Sequence, residues 1–233
     1  MSSLIQSIAK ASQQVFGKYS NENAFIESLN KLRKLCAQLT AADVGFSSDL
    51  IERKSRFRAP SLHVEICTND VFSIGIFVLP KDGSIPLHDH QQMHGIVKVI
   101  HGTIKVKSFS FMPNDKPYTI PKEILSKISY RERALLIPTH YCGEKVVGFN
   151  EETTCLLTPT EANLHEIESV GGIAAFLDIL APPYESGERE CQYYQLIDTV
   201  HDEEMKNDIS WLMPQRCPPS FWCESLPYQG PKI

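Results

Sequence analysis

Residues 83–95 read Gly83-Ser-Ile-Pro-Leu-His88-Asp-His90-Gln-Gln-Met-His94-Gly95. His88 and His90 are two apart, and on a strand such residues point to the same face. Two imidazoles on one face can grip one metal ion, because neutral imidazole is a common ligand. A bare H-x-H pair also reads as two polar residues on a wet face. The surroundings favour a strand. Asp82-Gly83 is a turn signal and Pro86 lies just inside it. Segments 96–100 and 104–109, joined by His101-Gly102, read as a hairpin with Ile104 and Val106 on one face and Lys105 and Lys107 on the other.

The same period continues outward. Val64 and Ile66 alternate with polar neighbours, and 71–79 is dense in β-branched and aromatic residues. Downstream, 134–137, 145–149, 153–157, 172–179 and 191–196 are short and strand-like, most of them separated by Pro or Gly. Many short strands with frequent turns predict an all-β barrel or sandwich. Residues 1–45 differ. Ile5, Ile8, Ala9, Val15 and Phe16 follow a helical rhythm that Gly17 breaks. A second helix carries Phe25, Ile26, Leu29, Leu32, Leu35, Cys36 and Leu39 on one stripe. Asn21 or Asn23 caps it, and Lys31, Arg33 and Lys34 fall on its wet side. The domain reading is a single unit over 1–233, with helices in 1–45 and a barrel in 60–233. The Pro-rich end holds Phe221, Trp222 and Tyr228, rings that are costly to expose, so it is expected to pack on the barrel.

Composition narrows the function. Lys and Arg total 23 against 28 Asp and Glu, a net charge of −5, which argues against a nucleic-acid footprint. The longest apolar run, 71–79, is far short of the ~20 residues of a membrane span, and 1–10 has no secretory pattern. The seven cysteines form no C-x-x-C pair, which fits neither a disulfide framework nor a four-cysteine zinc site. A cytoplasmic protein is expected.

Residues 83–95 resemble the first signature of the cupin superfamily, in which a glutamate follows the H-x-H pair. Here His94 or a neighbour takes that place, and no carboxylate lies between His90 and Gly102. The second signature brings another histidine after a P-x-G turn. Its nearest match is Pro159-Thr-Glu161-Ala-Asn-Leu-His165, with Glu161 for glycine and one extra residue before the histidine. The resemblance implies a mainly β, jelly-roll-like double-stranded barrel with N-terminal helices packed outside. Three neutral histidines would leave a metal its full positive charge and favour a substrate that brings an anion, such as a thiolate. Five words sharpen the match: IPLHDHQQMHG at 85–95, NLHEI at 163–167, DILAPPY at 178–184, ERECQYY at 188–194 and FWCESLPYQGP at 221–231. Together, and in this order, they resemble the family of 2-aminoethanethiol (cysteamine) dioxygenase and the plant cysteine oxidases, from about residue 20 to the end.

That resemblance implies one Fe(II) per chain, held by His88, His90 and His165. By spacing alone, His165 reads as a core histidine satisfied by backbone. His94 is expected beside the ligands, and His63, His101, His140 and His201 in surface or structural roles. The family also places a thioether-forming pair at Cys191 and Tyr193, which share a face if 191–193 is a strand; a buried cysteine packed near a tyrosine is the plainer reading. Asp178 interrupts an apolar run, so it either caps the Pro182-Pro183 loop or faces the metal pocket to orient a ligand or the substrate amine. Tyr184 would close the pocket rim. The implied reaction adds both atoms of O2 to a thiol, giving a sulfinic acid. The implied substrates are cysteamine, giving hypotaurine, and proteins or peptides that begin with cysteine, whose oxidation feeds oxygen-dependent degradation. Free cysteine would need a cation for its carboxylate; Arg53, Arg56, Arg58, Arg131, Arg133, Arg189 and Arg216 are candidates, but none lies in a histidine word. A monomer without nucleic-acid or membrane partners is expected. The rivals are a non-enzymatic metal-binding cupin, a zinc- or nickel-dependent cupin isomerase and a dioxygenase of free cysteine.

Overall fold

The structure, a computed structural model, describes residues 2–17, 21–47, 59–113, 118–202 and 207–233. Helix α1 (Leu4–Phe16) opens with a reciprocal cap. Ser3 Oγ accepts from Gln6 N at 3.3 Å and Gln6 Oε1 accepts from Ser3 N at 2.8 Å. Helix α2 (Glu22–Ala37) is capped by Asn21, whose Oδ1 accepts from Ala24 N at 3.0 Å. Their apolar stripes, Ile5, Ile8 and Val15 with Leu29, Leu32 and Cys36, are buried together. Lys31 and Lys34 stay in solvent, but Arg33 does not: its Nε donates to Thr154 Oγ1 at 3.2 Å, across to the barrel.

The strands among the described residues are β1 (Ser61–Thr68), β2 (Ser73–Leu79), β3 (Ser84–Asp89), β4 (His94–His101), β5 (Thr103–Phe111), β6 (Ile137–Gly148), β7 (Cys155–Leu157), β8 (Leu164–Ser169), β9 (Ala174–Ala181), β10 (Tyr193–Asp202), β11 (Asn207–Gln215) and β12 (Cys223–Ser225). They form two six-stranded layers. One sheet runs β12-β1-β2-β9-β4-β7. The other runs β10-β11-β6-β5-β8-β3 and closes where Tyr193 on β10 pairs with His88 on β3. This is the expected jelly-roll-like cupin barrel with helices outside.

The anticipated hairpin does not form. Strands β4 and β5 leave Gly102 for opposite layers: β4 pairs with β7 and β9, β5 with β6 and β8. The reason is legible in burial. Ile96 through Ile100 are buried on both faces, Ile96 and Ile100 under the helices and Val97 and Val99 in the barrel interior. A strand covered on both sides is apolar on both faces, and the one polar side chain here, Lys98, is buried with its Nζ donating to Glu151 O. Strand β5 alternates as read, with Ile104 and Val106 inward. Lys105 and Lys107 lie outward, pairing with Glu168 at 2.8 Å and Glu166 at 3.4 Å on β8. Residues 134–137 are another departure. Tyr130–Leu135 is a tight helical turn, and β6 begins only at Ile137.

The C-terminal segment packs as expected, in part. Strand β12 adds in parallel to β1, and Leu226 N donates to His63 O at 2.8 Å. Tyr228 packs on the cluster under the helices, and Phe221 lies 6.1 Å from the Tyr193 ring. Trp222 is 48% exposed, because its neighbours on either side turn inward to line a cavity. No helix among the described residues is long and apolar enough to cross a membrane.

Gly102 makes the crossover between layers. Its φ is +68°, and a Cβ there would stand 2.2 Å from Ile173 O. We expect Gly102→Val to cost at least ~2 kcal/mol, from the left-handed backbone and the clash together. Urea denaturation measures it; an unchanged midpoint would show that the crossover tolerates a side chain.

Candidate metal centre

Strand register builds the centre. His88 on β3 pairs directly with His165 on β8. A register shift between Ile85 and His88 marks an irregularity in β3 just ahead of the pair. His90 lies one residue beyond β3 and is fixed by Asn163. Its N donates to Asn163 O at 3.1 Å, its Nδ1 lies 3.2 Å from the same oxygen, and Asn163 Nδ2 donates to His90 O at 2.6 Å. His88 Nδ1 is 2.8 Å from Pro86 O. A carbonyl can only accept, so in both rings Nδ1 carries the proton and Nε2 keeps its lone pair. Ring centroids stand 4.6–4.9 Å apart, and one nitrogen from each of the three rings lies within 4.8 Å of the others. Burial lowers the pKa of all three, and for His90 and His165 the neighbouring imidazoles lower it further. Three neutral, convergent nitrogen donors with no carboxylate among them suit a divalent transition metal.

His94 is not beside this centre. Its ring stands 5.0 Å from Phe25 and 6.1 Å from Phe16, on the helix-facing side of β4. Counting by twos from His90 fails because the chain turns at Gln92, where φ is +59°. His63 departs from expectation the other way, for it lines the cavity over the histidines. His101 packs near Phe46 and Phe149, His140 is exposed and His201 meets Asp208 at 2.9 Å, as surface or structural residues.

The cavity has a volume of about 440 Å³ and contains Asp178, Tyr184, Cys191 and Tyr193 with the triad. On β9, Asp178 shares the inward face with Phe176 and Leu180, so it looks into the cavity and does not cap the Pro182-Pro183 loop. Its Oδ1 is buried without a hydrogen-bond partner, and burial pushes its pKa up to about 7. Tyr184 is a fixed wall: its Oη donates to Asp89 O at 2.6 Å and its ring lies 5.7 Å from that of His90. Cys191 precedes β10, so the shared strand face does not exist. The pair still meets at the cavity, which both Cys191 and Tyr193 line. Burial pushes the Cys191 thiol up to about 11, and burial first, then Cys191, raises the Tyr193 hydroxyl.

Sequence reasoning missed Asp89. It is fully buried between two ligands. Its Oδ1 accepts from Gln192 N at 3.0 Å and its Oδ2 from Tyr194 Oη at 2.8 Å, with Gln91 Nε2 at 3.3 Å. Period two points Asp89 away from the histidines, which hid it; the signal was a carboxylate inside an H-x-H on a strand whose other face also had to be covered. Among the described residues no lysine or arginine lines the cavity; its carboxylates are Asp178 and Glu65. Arg189 is tied to Glu185 at 2.6 Å and to Pro183 O at 3.2 Å, and Arg131, Arg133 and Arg216 do not line it either. Arg53, Arg56 and Arg58 lie outside the described residues.

Fold and site together define a cupin whose metal centre is built from histidines alone. The chain belongs to the PCO_ADO family, whose model matches residues 35–233. It is 35% identical to 2-aminoethanethiol dioxygenase of Homo sapiens over 90% of this chain and 82% of that one. The Mus musculus protein of the same name is 32% identical over 100% and 97%. Plant cysteine oxidase 1 of Arabidopsis thaliana is 28% identical over 89% and 72%. Among solved structures, the Schizosaccharomyces pombe Cnp3 cupin domain aligns at a TM-score of 0.37 and 9% identity, over 60% of this chain and 74% of that one.

Two outcomes follow. Tyr194→Phe leaves Asp89 Oδ2 short of its best donor, and should cost about 1–3 kcal/mol of stability together with metal affinity, although Tyr194 does not line the cavity. Denaturation and metal titration measure both, and unchanged values would remove Asp89 as an organiser. In the metal-free protein, Asp178 is protonated more readily folded than unfolded, so it lowers stability as pH rises from its unfolded value of 3.8 to about 7. Asp178→Asn should therefore stabilise the metal-free protein by about 1–3 kcal/mol at pH 8 and far less at pH 4. Equal gains at both pH values would contradict a carboxyl ionising without a partner.

Proposed function

We propose that this protein is an Fe(II)-dependent thiol dioxygenase of small or peptide thiols that carry a neighbouring amine. The observation that carries the reading is the combination of a three-histidine centre with a cavity lined by carboxylates and by no lysine or arginine among the described residues. Iron held by His88, His90 and His165 would supply the redox chemistry that places both atoms of O2 on the substrate sulfur. The chain's own groups bind, orient and exclude. The Nδ1 bonds of His88 and His90 hold their Nε2 atoms toward one point. With no carboxylate ligand, the centre keeps a positive charge that favours the substrate thiolate. Asp178 accepts the substrate ammonium, which supplies the partner its buried oxygen lacks. Phe176, Ile85, Ile167 and Leu180 keep that half of the cavity dry.

Cysteamine and an N-terminal cysteine both present a thiol two carbons from an amine, and neither carries a carboxylate there. Free cysteine does, and the described lining offers it two carboxylates and no cation. We therefore read the substrates as cysteamine and Cys-initiating proteins or peptides, the latter giving an oxygen-dependent mark. The Cys191 thiol lines the cavity with Tyr193 and the triad, which supports a thioether between them. Its formation would remove the S–H and one ring C–H, with O2 taking up the two electrons. The seven cysteines are unpaired, which supports a reducing, cytoplasmic setting, and we read the protein as a monomer.

The test is oxygen uptake and product mass with iron-loaded protein. Cysteamine and a Cys-initiating peptide should each gain about 32 mass units, the mass of one O2, while the N-acetylated peptide should not. His165→Ala should lose both iron and uptake. Metal binding without oxygen uptake would leave a non-enzymatic cupin; equal oxidation of the acetylated peptide would remove the amine from recognition.

A further inference from the structure

The outer half of the cavity is not used by the chemistry at the histidines. Glu65, Gly75 and Asp178 stand in one register line across β1, β2 and β9. Direct cross-strand partners share a face, so both carboxylates belong to the cavity side, on backbones about 10 Å apart at twice the ~4.8 Å strand spacing. Both line it, and the residue between them has no side chain. A Cβ at Gly75 would fall 2.5 Å from His63 Nε2, so glycine is what lets that imidazole lie between the two carboxylates. Asp178 sits inside, with Oδ1 buried and unpartnered. Glu65 is exposed at the rim, where its Oε2 accepts from Thr68 Oγ1 at 3.1 Å. The remaining rim, Ser73, Ser225, Cys223 and Phe221, carries no opposing cation.

Resting on the reading of this site as an oxidase of N-terminal cysteine, we propose that Glu65 is a specificity-determining residue that receives a basic side chain at the second or third position of the peptide. Glu65 is exposed on the cavity that Asp178 also lines, so a peptide whose amine meets Asp178 and whose chain leaves past His63 comes to Glu65. Consecutive Cα atoms are about 3.8 Å apart, so residues two and three span the gap between the carboxylates. A lysine or arginine there reaches Glu65, and an acidic side chain meets two like charges. Cysteamine ends before this point. Glu65 touches no reacting atom, so its effect falls on KM.

The experiment compares three peptides that differ only at positions two and three, carrying Lys, Gln or Glu, with the iron-loaded wild type, Glu65→Gln and Glu65→Lys. The wild type should prefer Lys over Gln over Glu, with Lys and Glu separated about 2- to 5-fold in kcat/KM, the upper range of one solvent-accessible ion pair. The preference should lie in KM and shrink at 0.5 M salt, where screening shortens to a few ångströms. Glu65→Gln should flatten the order and Glu65→Lys reverse it. Glu65→Gln is nearly isosteric, so the test survives if the charge reversal fails to fold. Peptides oxidised without charge preference, or an order that Glu65→Lys leaves intact, would overturn the subsite alone. Oxidation of cysteamine but of none of the peptides would overturn the peptide reading, and the subsite with it.

Discussion

The centre depends on a buried aspartate that touches no metal ligand's ring. Asp89 lies between His88 and His90, and its carboxyl draws Gln192 N and Tyr194 Oη to the end of β3. Asp89 N in turn donates to Gln192 O at 3.0 Å, and its carbonyl takes the Tyr184 hydroxyl. Taking a carboxyl out of water is costly unless its oxygens are satisfied, so these partners are held to their places. What they hold is the seam where β10 meets β3, which is joined by the single pair Tyr193↔His88. The same residues thus close the barrel, fix the strand that carries two histidines and set three cavity-wall residues, Tyr184, Cys191 and Tyr193.

Asp89 and Asp178 show opposite uses of a buried carboxyl. Asp89 is satisfied on both oxygens and gives rigidity. Asp178 has an oxygen with no partner, and burial alone raises its pKa to about 7. A polar group left unmet in a folded core is costly, and such a cost persists where a ligand is meant to relieve it. The cavity therefore reads as a protein half of an ion pair, organised before its cation arrives.

Legibility followed period. The helices, the alternation of Ile104 and Val106 with Lys105 and Lys107, and the H-x-H face were readable, since each rests on local geometry. The hairpin at Gly102 was not, because a turn signal does not say whether two strands pair or part between layers; only the double-sided burial of 96–100 decides it. His94 was misplaced when a count by twos was carried through a turn. Spacing alone would have left His165 in the core; the resemblance named it, and the register opposite His88 explains why it belongs. Asp178 could be read two ways until its strand partners Gly75 and Val97 fixed the face it shares with Phe176 and Leu180. Asp89 was hidden by the same period that revealed its neighbours.

The cavity's charge pattern carries the substrate argument further than the metal does. A histidine-only centre favours any thiolate, so it discriminates little among thiols. Discrimination needs groups that reject as well as attract. An α-carboxylate beside the thiol would be brought into a lining with two carboxylates and, among the described residues, no cation, where like charges repel and desolvation is not repaid. On the proposed reading, an amine at the same position meets Asp178, whose buried oxygen has no partner of its own. A chain continuing from that amine, its carboxyl now a neutral peptide bond, brings no second negative charge into that lining. On the proposed reading, the site separates cysteine from an N-terminal cysteine by a single functional group: the carboxylate that peptide-bond formation has removed.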